Sequence, residues 1–153
     1  MNLSEAIELC RRFEGFRARA YLCPAGVPTI GYGSTHYSNG RKVALTDPPI
    51  SEHAARLLLV TELLNTYAPG VLRQCPGLLP LALLEADWRR LNAIVDFAYN
   101  LGVGRLQTST LRRRINAGDF DGAVAELGKW VWGGGRKLPG LVARRAAEAA
   151  LLR

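Results

Sequence analysis

Cysteine is scarce in this chain of 153 residues: Cys10, Cys23 and Cys75 are an odd number, and none stands in a CxxC or Cys/His spacing. A disulfide framework and a zinc site of the usual spacing are therefore excluded, and the free thiols fit synthesis in a reducing compartment. Apolar runs of the about 18 residues that a membrane helix needs are also missing. The N-terminus has no basic region leading into an apolar run and a cleavage site, so neither a signal peptide nor a transmembrane segment is expected. The two histidines, His36 and His53, have no partner at metal-ligand or Ser/His/Asp spacing, so no metal and no cofactor is expected. Internal repeats and low-complexity tracts are absent too, which leaves one domain as the simplest organisation.

Acidic residues are outnumbered, 13 Asp and Glu against 20 Lys and Arg, for a formal net charge of +7. That favours an anionic partner through long-range attraction without naming it. The arginines at 112–114 are consecutive, and consecutive helical residues point in different directions. A solvated face is therefore expected there, and a nucleic-acid partner is not. The 48% hydrophobic content suffices for a globular core, and a chain of this length buries roughly 68–70% of its unfolded surface.

Along the chain, Asn2 and Glu5 suit a helix start and Gly15 a stop. Leu3, Ile7, Cys10 and Glu14 then fall on one helical face, so a carboxylate continues the apolar stripe. An inward carboxylate is more easily kept protonated, as a proton donor requires. A salt bridge to Arg11, Arg12 or Arg17 is the plainer alternative. Residues 20–45 read as two or three short strands. One strand runs from Thr29 to Tyr37, with Asn39-Gly40 as a hairpin turn before Lys42–Leu45. Gly31 and Gly33 inside that strand mark either bulges or the close approach of another group.

The remainder is helical. Ser51 caps a helix through about Tyr67, and Pro69-Gly70 with Pro76-Gly77 bound a short helix or turn. An apolar helix from about Pro80 to Leu101 carries Leu84, Trp88, Leu91, Ile94, Val95 and Ala98. Thr108 or Ser109 caps the next helix, and Asp119 caps one ending near the glycines at 133–135. Pro139 opens a last helix through Leu152, which closes the core or lays its basic face weakly on an anionic envelope. Trp88, Trp130 and Trp132 are expected in the core. Strands followed by helices indicate an α+β class.

Several motifs together resemble the phage lysozymes, the muramidase family that includes lambdoid-type endolysins. They are Glu14-Gly15, Ala20-Tyr21, the run from Pro28 to Gly33, DFAYNLGVG from Asp96, STLRRRINAGDF from Ser109, and W-x-GGGRKLPGL-x-x-RR-x-x-E from Trp130 to Glu148. The resemblance implies a lysozyme-like fold. A small sheet lobe spans roughly 13–46, and a helical lobe spans roughly 47–153 and includes the N-terminal helix at 2–13, with the active-site cleft between the lobes. It also implies a monomer that hydrolyses the β-1,4 bonds between N-acetylmuramic acid and N-acetylglucosamine in bacterial peptidoglycan. Synthesis would be in the host cytoplasm, with release to the wall through a separate, holin-type membrane hole.

The family spaces a glutamate, eight residues, an aspartate, five residues and a threonine, which fall here on Glu14, Cys23 and Thr29. Glu14 is then the general acid, with Thr29 beside the attacking water. Cys23 departs from the family's aspartate. A thiolate there could attack the anomeric carbon with retention, or position water with Thr29 for inversion. Alternatively the chain is an inactive peptidoglycan-binding module or a basic nucleic-acid-binding protein. Thr35, Tyr99, Asn100 and Thr110 match cleft-wall positions and are candidate sugar contacts. Ser34 stands where relatives carry histidine, so the ion pair of that histidine is lost and a difference in stability is expected.

Overall fold

A computed structural model describes residues 1–79 and 87–153. The first helix, α1 (Ser4–Glu14), buries Leu3, Ala6 and Cys10 and carries Glu14 at its end, so the apolar stripe faces inward as its spacing predicts. Asn2 Oδ1 accepts the Ser4 N–H at 2.9 Å, and Gly15 stops the helix at φ 72°. The chain then forms an antiparallel pair, β1 (Arg17–Leu22) and β2 (Pro28–Gly31), with Tyr21 opposite Thr29.

The sheet is shorter than expected, because β2 ends at Gly31 rather than running to Tyr37. Gly31 and Gly33 both take positive φ, 68° and 109°, which extended strand does not allow. The backbone therefore folds back at once, and Ile30 pairs with Ser34. The Asn39-Gly40 turn forms, but its flanks meet only in a single bridge between His36 and Lys42.

Ser51 caps α2 (Glu52–Glu62) by accepting the Ala54 N–H at 3.1 Å. Helix continues through a wide turn, Leu63–Tyr67, into α3 (Ala68–Gln74), so Pro69-Gly70 lies inside a helical run instead of bounding it. The Ala68 N–H bonds to Leu63 O, five residues back. This π register accommodates a proline that has no N–H to offer. Pro76–Leu78 form a single 3₁₀ turn.

The central helix is α4 (Arg89–Leu101), with eight consecutive residues from Leu91 to Ala98 buried. Trp88 precedes it instead of lying within it, and the expected start at Pro80, with Leu84, falls outside the described residues. Then follow α5 (Val103–Gln107), α6 (Thr110–Asn116), capped by Ser109 and not Thr108, and α7 (Phe120–Leu127), capped by Asp119. Helix α7 ends well before the glycines. Residues 132–137 instead form a tight hairpin, β3 (Trp132–Gly133) with β4 (Arg136–Lys137), because Gly134 and Gly135 both take the positive φ of a hairpin turn. Pro139 opens α8 (Pro139–Leu152), as its position predicts.

The core gathers α1, α2, α3, α5, α6, α7 and α8 around α4, and a small second cluster of Ile30, Val43 and Leu58 joins the sheet to α2. Trp130 stacks edge-on to Phe97 with ring centroids 5.3 Å apart, whereas Trp132 stands 59% exposed. The three consecutive arginines reach Gln74, Thr110 and Asp119 separately and share no common face. Among the described residues, no helix is long and apolar enough to cross a membrane.

A Cβ on Gly31 would sit 3.0 Å from the Ala55 Cβ at a φ that L-residues rarely adopt. Gly31→Ala should lower stability by about 1–3 kcal/mol in thermal or urea unfolding. Gly77→Ala, where an added Cβ meets nothing within 4 Å and φ is ordinary, should stay within about 0.5 kcal/mol.

Candidate active site

The carboxylate at the end of α1 is met from across the molecule. Arg144 Nη1 donates to Glu14 Oε1 at 2.5 Å, and Arg144 also donates to both oxygens of Asp96, from Nε at 2.9 Å and from Nη2 at 2.8 Å. The partner of Glu14 is therefore a buried arginine of α8 and not Arg11, Arg12 or Arg17. Burial opposes the Arg144 charge, but the bonds and charges of Asp96 and Glu14 outweigh it and hold the guanidinium more firmly protonated than usual. Glu14 keeps 28% of its side chain exposed, which leaves it an open side.

That open side faces the turn made by Gly31–Ser34. A Cβ on Gly33 would lie 3.3 Å from the Tyr99 hydroxyl and 3.9 Å from Glu14 Oε2, so this glycine allows a close approach. Tyr99 donates to Tyr32 O at 2.9 Å and stacks edge-on to Tyr67. It thus ties the glycine turn to α4, and burial pushes its hydroxyl pKa well up.

Cys23 sits where β1 passes into the turn toward β2 and is half-buried, with its N–H bonded to Val27 O. The N–H groups of Val27 and Ala25 stabilise its sulfur as thiolate. Together they lower the pKa below the ordinary thiol value. Thr29 is nearly fully buried, and its hydroxyl donates to Val27 O at 2.9 Å. The structure therefore brings Cys23 and Thr29 together in one turn. Tyr21 lies within electrostatic reach of both Cys23 and Glu14.

The candidate sugar contacts separate. Thr35 lines an open cavity of about 330 Å³ with His36, Tyr37, Glu62, Asn65 and Tyr67. Asn100 accepts a bond from Arg145 at 3.0 Å, and Thr110, on α6, accepts one from Arg113 at 2.7 Å. Cys10 and Cys75 are fully buried in the helical core, and all three cysteines are free thiols. The two arginines that made α8 look basic, Arg144 and Arg145, also turn inward. They are 3% and 2% exposed and cannot form a face for an anionic envelope.

Sequence reasoning missed Arg144, Asp96 and Glu62. The first two stand inside motifs quoted above, but nothing local pairs residues 48 and 130 positions apart. Glu62 is the counterpart to the loss at Ser34: the Ser34 hydroxyl donates to its carboxylate at 2.9 Å. Burial raises the Glu62 pKa, partly offset by the bond from Ser34. Among the described residues, no cluster of His, Cys, Asp and Glu could hold a metal ion.

With this geometry in view, a family model described as phage lysozyme matches residues 11–148. An endolysin of Acyrthosiphon pisum secondary endosymbiont phage 1 is 38% identical over 156 residues, covering 99% of this chain and 97% of that protein. An endolysin from Escherichia coli O157:H7 phage FAHEc1 superposes with a TM-score of 0.80 at 29% identity, covering 99% of this chain and 93% of the other. A muramidase domain from Asticaccaulis excentricus superposes at 0.76 with 28% identity, covering 96% and 93%.

Alkylation by iodoacetamide should modify Cys23 alone in the folded protein, with a pH midpoint below that of an ordinary thiol; mass mapping and the rate against pH check this. Glu62 binds its proton more tightly in the folded than in the unfolded chain. Its stabilising effect is therefore complete below the unfolded carboxylate pKa and lost as pH rises through the folded one. The melting temperature of Glu62→Gln should consequently gain on the wild type as pH is raised from mildly acidic to neutral.

Proposed function

The chain belongs to the phage lysozyme family, and from that premise we propose how its residues divide the work of cleaving the wall glycan. Lysozyme activity on bacterial peptidoglycan, in the role of an endolysin, is the function of the family.

Glu14 is the general acid for the β-1,4 bond between N-acetylmuramic acid and N-acetylglucosamine. The single observation that carries this is its position: half-open to solvent, clamped from behind by Arg144, and set against the Gly33 turn, which approaches it without a side chain of its own. Its proton goes to the glycosidic oxygen as the bond to the anomeric carbon breaks.

Charge then develops on the sugar ring, and an anion on the opposite side stabilises it. The Cys23 thiolate, supported by the amides of Val27 and Ala25, supplies that anion where the family has aspartate. It accepts a proton from a water that attacks the anomeric carbon, and the configuration inverts. Thr29 holds the turn that carries Cys23, since its hydroxyl donates to Val27 O and is nearly out of solvent. Tyr21 and the cavity beside Thr35 and Glu62 extend the surface available to the glycan. The net positive charge attracts the carboxylates of the wall polymer. Passage from the cytoplasm to the wall would need a separate membrane opening.

Glu14→Gln should lower the rate of reducing-sugar release from purified walls by about 10²–10⁴-fold while binding to walls persists; full activity would remove Glu14 from the chemistry. NMR of the first-formed anomer should show inversion. Retention would instead assign Cys23 as the nucleophile, and Cys23→Ala with wild-type activity would dismiss the thiol altogether.

A further inference from the structure

Tyr32 stands between the two positive-φ glycines of the turn that faces Glu14, and both of its ends are held. Its carbonyl accepts from Tyr99 on α4. Its hydroxyl, at the far end of a residue only 2% exposed, donates to Glu52 Oε1 at 2.6 Å. That second bond reaches the first turn of α2, and no step above uses it.

Its length is that of a charge-assisted O–H···O⁻ bond, about 2.5–2.7 Å. Glu52 is kept an anion by the helix N-terminus in which it stands and by Arg11 of α1, which donates to it from Nη2 at 3.2 Å. Arg11 Nε also donates to the Tyr32 hydroxyl oxygen at 3.3 Å, so that hydroxyl gives a hydrogen to α2 and receives one from α1. Burial and Glu52 hold the Tyr32 hydroxyl above the usual phenol pKa, while Tyr32 and Arg11 draw Glu52 below the usual carboxylate range. The hydrogen therefore stays on the tyrosine.

The placement of these groups ties them to the site. Arg11 stands three residues before Glu14 on the same helix, and α2 packs against the turn through Ala55, beside Gly31. Glycine on both sides leaves the Tyr32 backbone unusually free, so an anchor at its carbonyl alone would allow the residue to swing. A second anchor at the hydroxyl removes that freedom. The Arg11–Glu52 pair contributes little by itself, since 58% of the Glu52 side chain is in solvent.

We infer that Glu52 is a positioning residue for the reaction: by accepting the Tyr32 hydroxyl hydrogen it fixes the Gly31–Ser34 turn against Glu14. Arg11 ties that acceptor to the helix that carries the acid.

This inference rests on Glu14 as the acid. Tyr32→Phe, which removes only the hydroxyl, and Glu52→Ala should each lower kcat on soluble wall fragments about tenfold, well below their melting temperatures and with KM within about twofold. Glu52→Gln loses the charge but keeps an oxygen that accepts from Tyr32, and should return most of the rate. In the double variant Tyr32→Phe/Glu52→Ala the losses should not add, because both changes remove one bond. Wild-type kcat in Tyr32→Phe, whatever its melting temperature, overturns the inference. Losses that add overturn it too, and so does Glu52→Gln as slow as Glu52→Ala, which would leave only the ion pair to Arg11. Should Glu52→Ala fail to fold, Tyr32→Phe against Glu52→Gln decides by the same criteria. Glu14→Gln with full activity would instead overturn the reading of the acid, while the cycle between Tyr32 and Glu52 stands or falls on its own rates.

Discussion

Arg144 is the interaction on which the site depends. One guanidinium, almost without solvent, is shared between a fully buried aspartate and the half-open Glu14, and in bridging them it joins α8, α4 and α1. A charge in that position is tolerated only because its partners are complete. Loss of one partner from a buried pair such as Arg144–Asp96 typically costs about 3–5 kcal/mol, since the remaining charge is left uncompensated. The helices therefore cannot shift relative to one another without breaking the pair. The orientation of Glu14 follows from the packing of three elements far apart in the chain.

The opposite wall of the site is built from backbone. Gly31 and Gly33 fold the chain back immediately after β2, and Tyr99 holds that turn to the central helix through the Tyr32 carbonyl. The space where Gly33 has no side chain is occupied from two sides, by the Tyr99 hydroxyl and by Glu14. The wide π turn between α2 and α3 belongs to the same construction: it lets a helical run pass through Pro69 and sets Asn65 and Tyr67 along the cavity that also contains Thr35. Cys23 lies in the turn between β1 and β2, where the amides of Val27 and Ala25 favour its thiolate. The anion is favoured by the shape of the turn more than by any nearby arginine.

Much of this was legible beforehand. Helical spacing placed Leu3, Cys10 and Glu14 on one face, and they face inward together. Ser51, Asp119 and Pro139 marked helix starts, because the groups that serve or tolerate unpaired backbone N–H are local and chemically narrow. Other expectations failed for reasons equally physical. A strand through Gly31 and Gly33 fitted the β-forming residues around them, but positive φ at both glycines ended it early. A helix ending near the glycines at 133–135 fitted the residues before them, but Gly134 and Gly135 turn 132–137 into a hairpin. Arg144 and Arg145 looked like surface charge because charged residues are seldom buried, and a buried pair needs partners that no local pattern reveals.

The division follows from range. Residue type and spacing within a turn or two specify where helices begin and which faces are apolar. They act through contacts between neighbours, which any reading of the chain can trace. The pairing of Glu14 with a residue 130 positions away, the closing of Asp96 and Glu148 around Arg144 and Arg145, and the joining of Ser34 to Glu62 depend on which helices pack together. Packing, not pattern, removes water from Arg144, Asp96 and Glu148, and without water each of these charges must answer to the others.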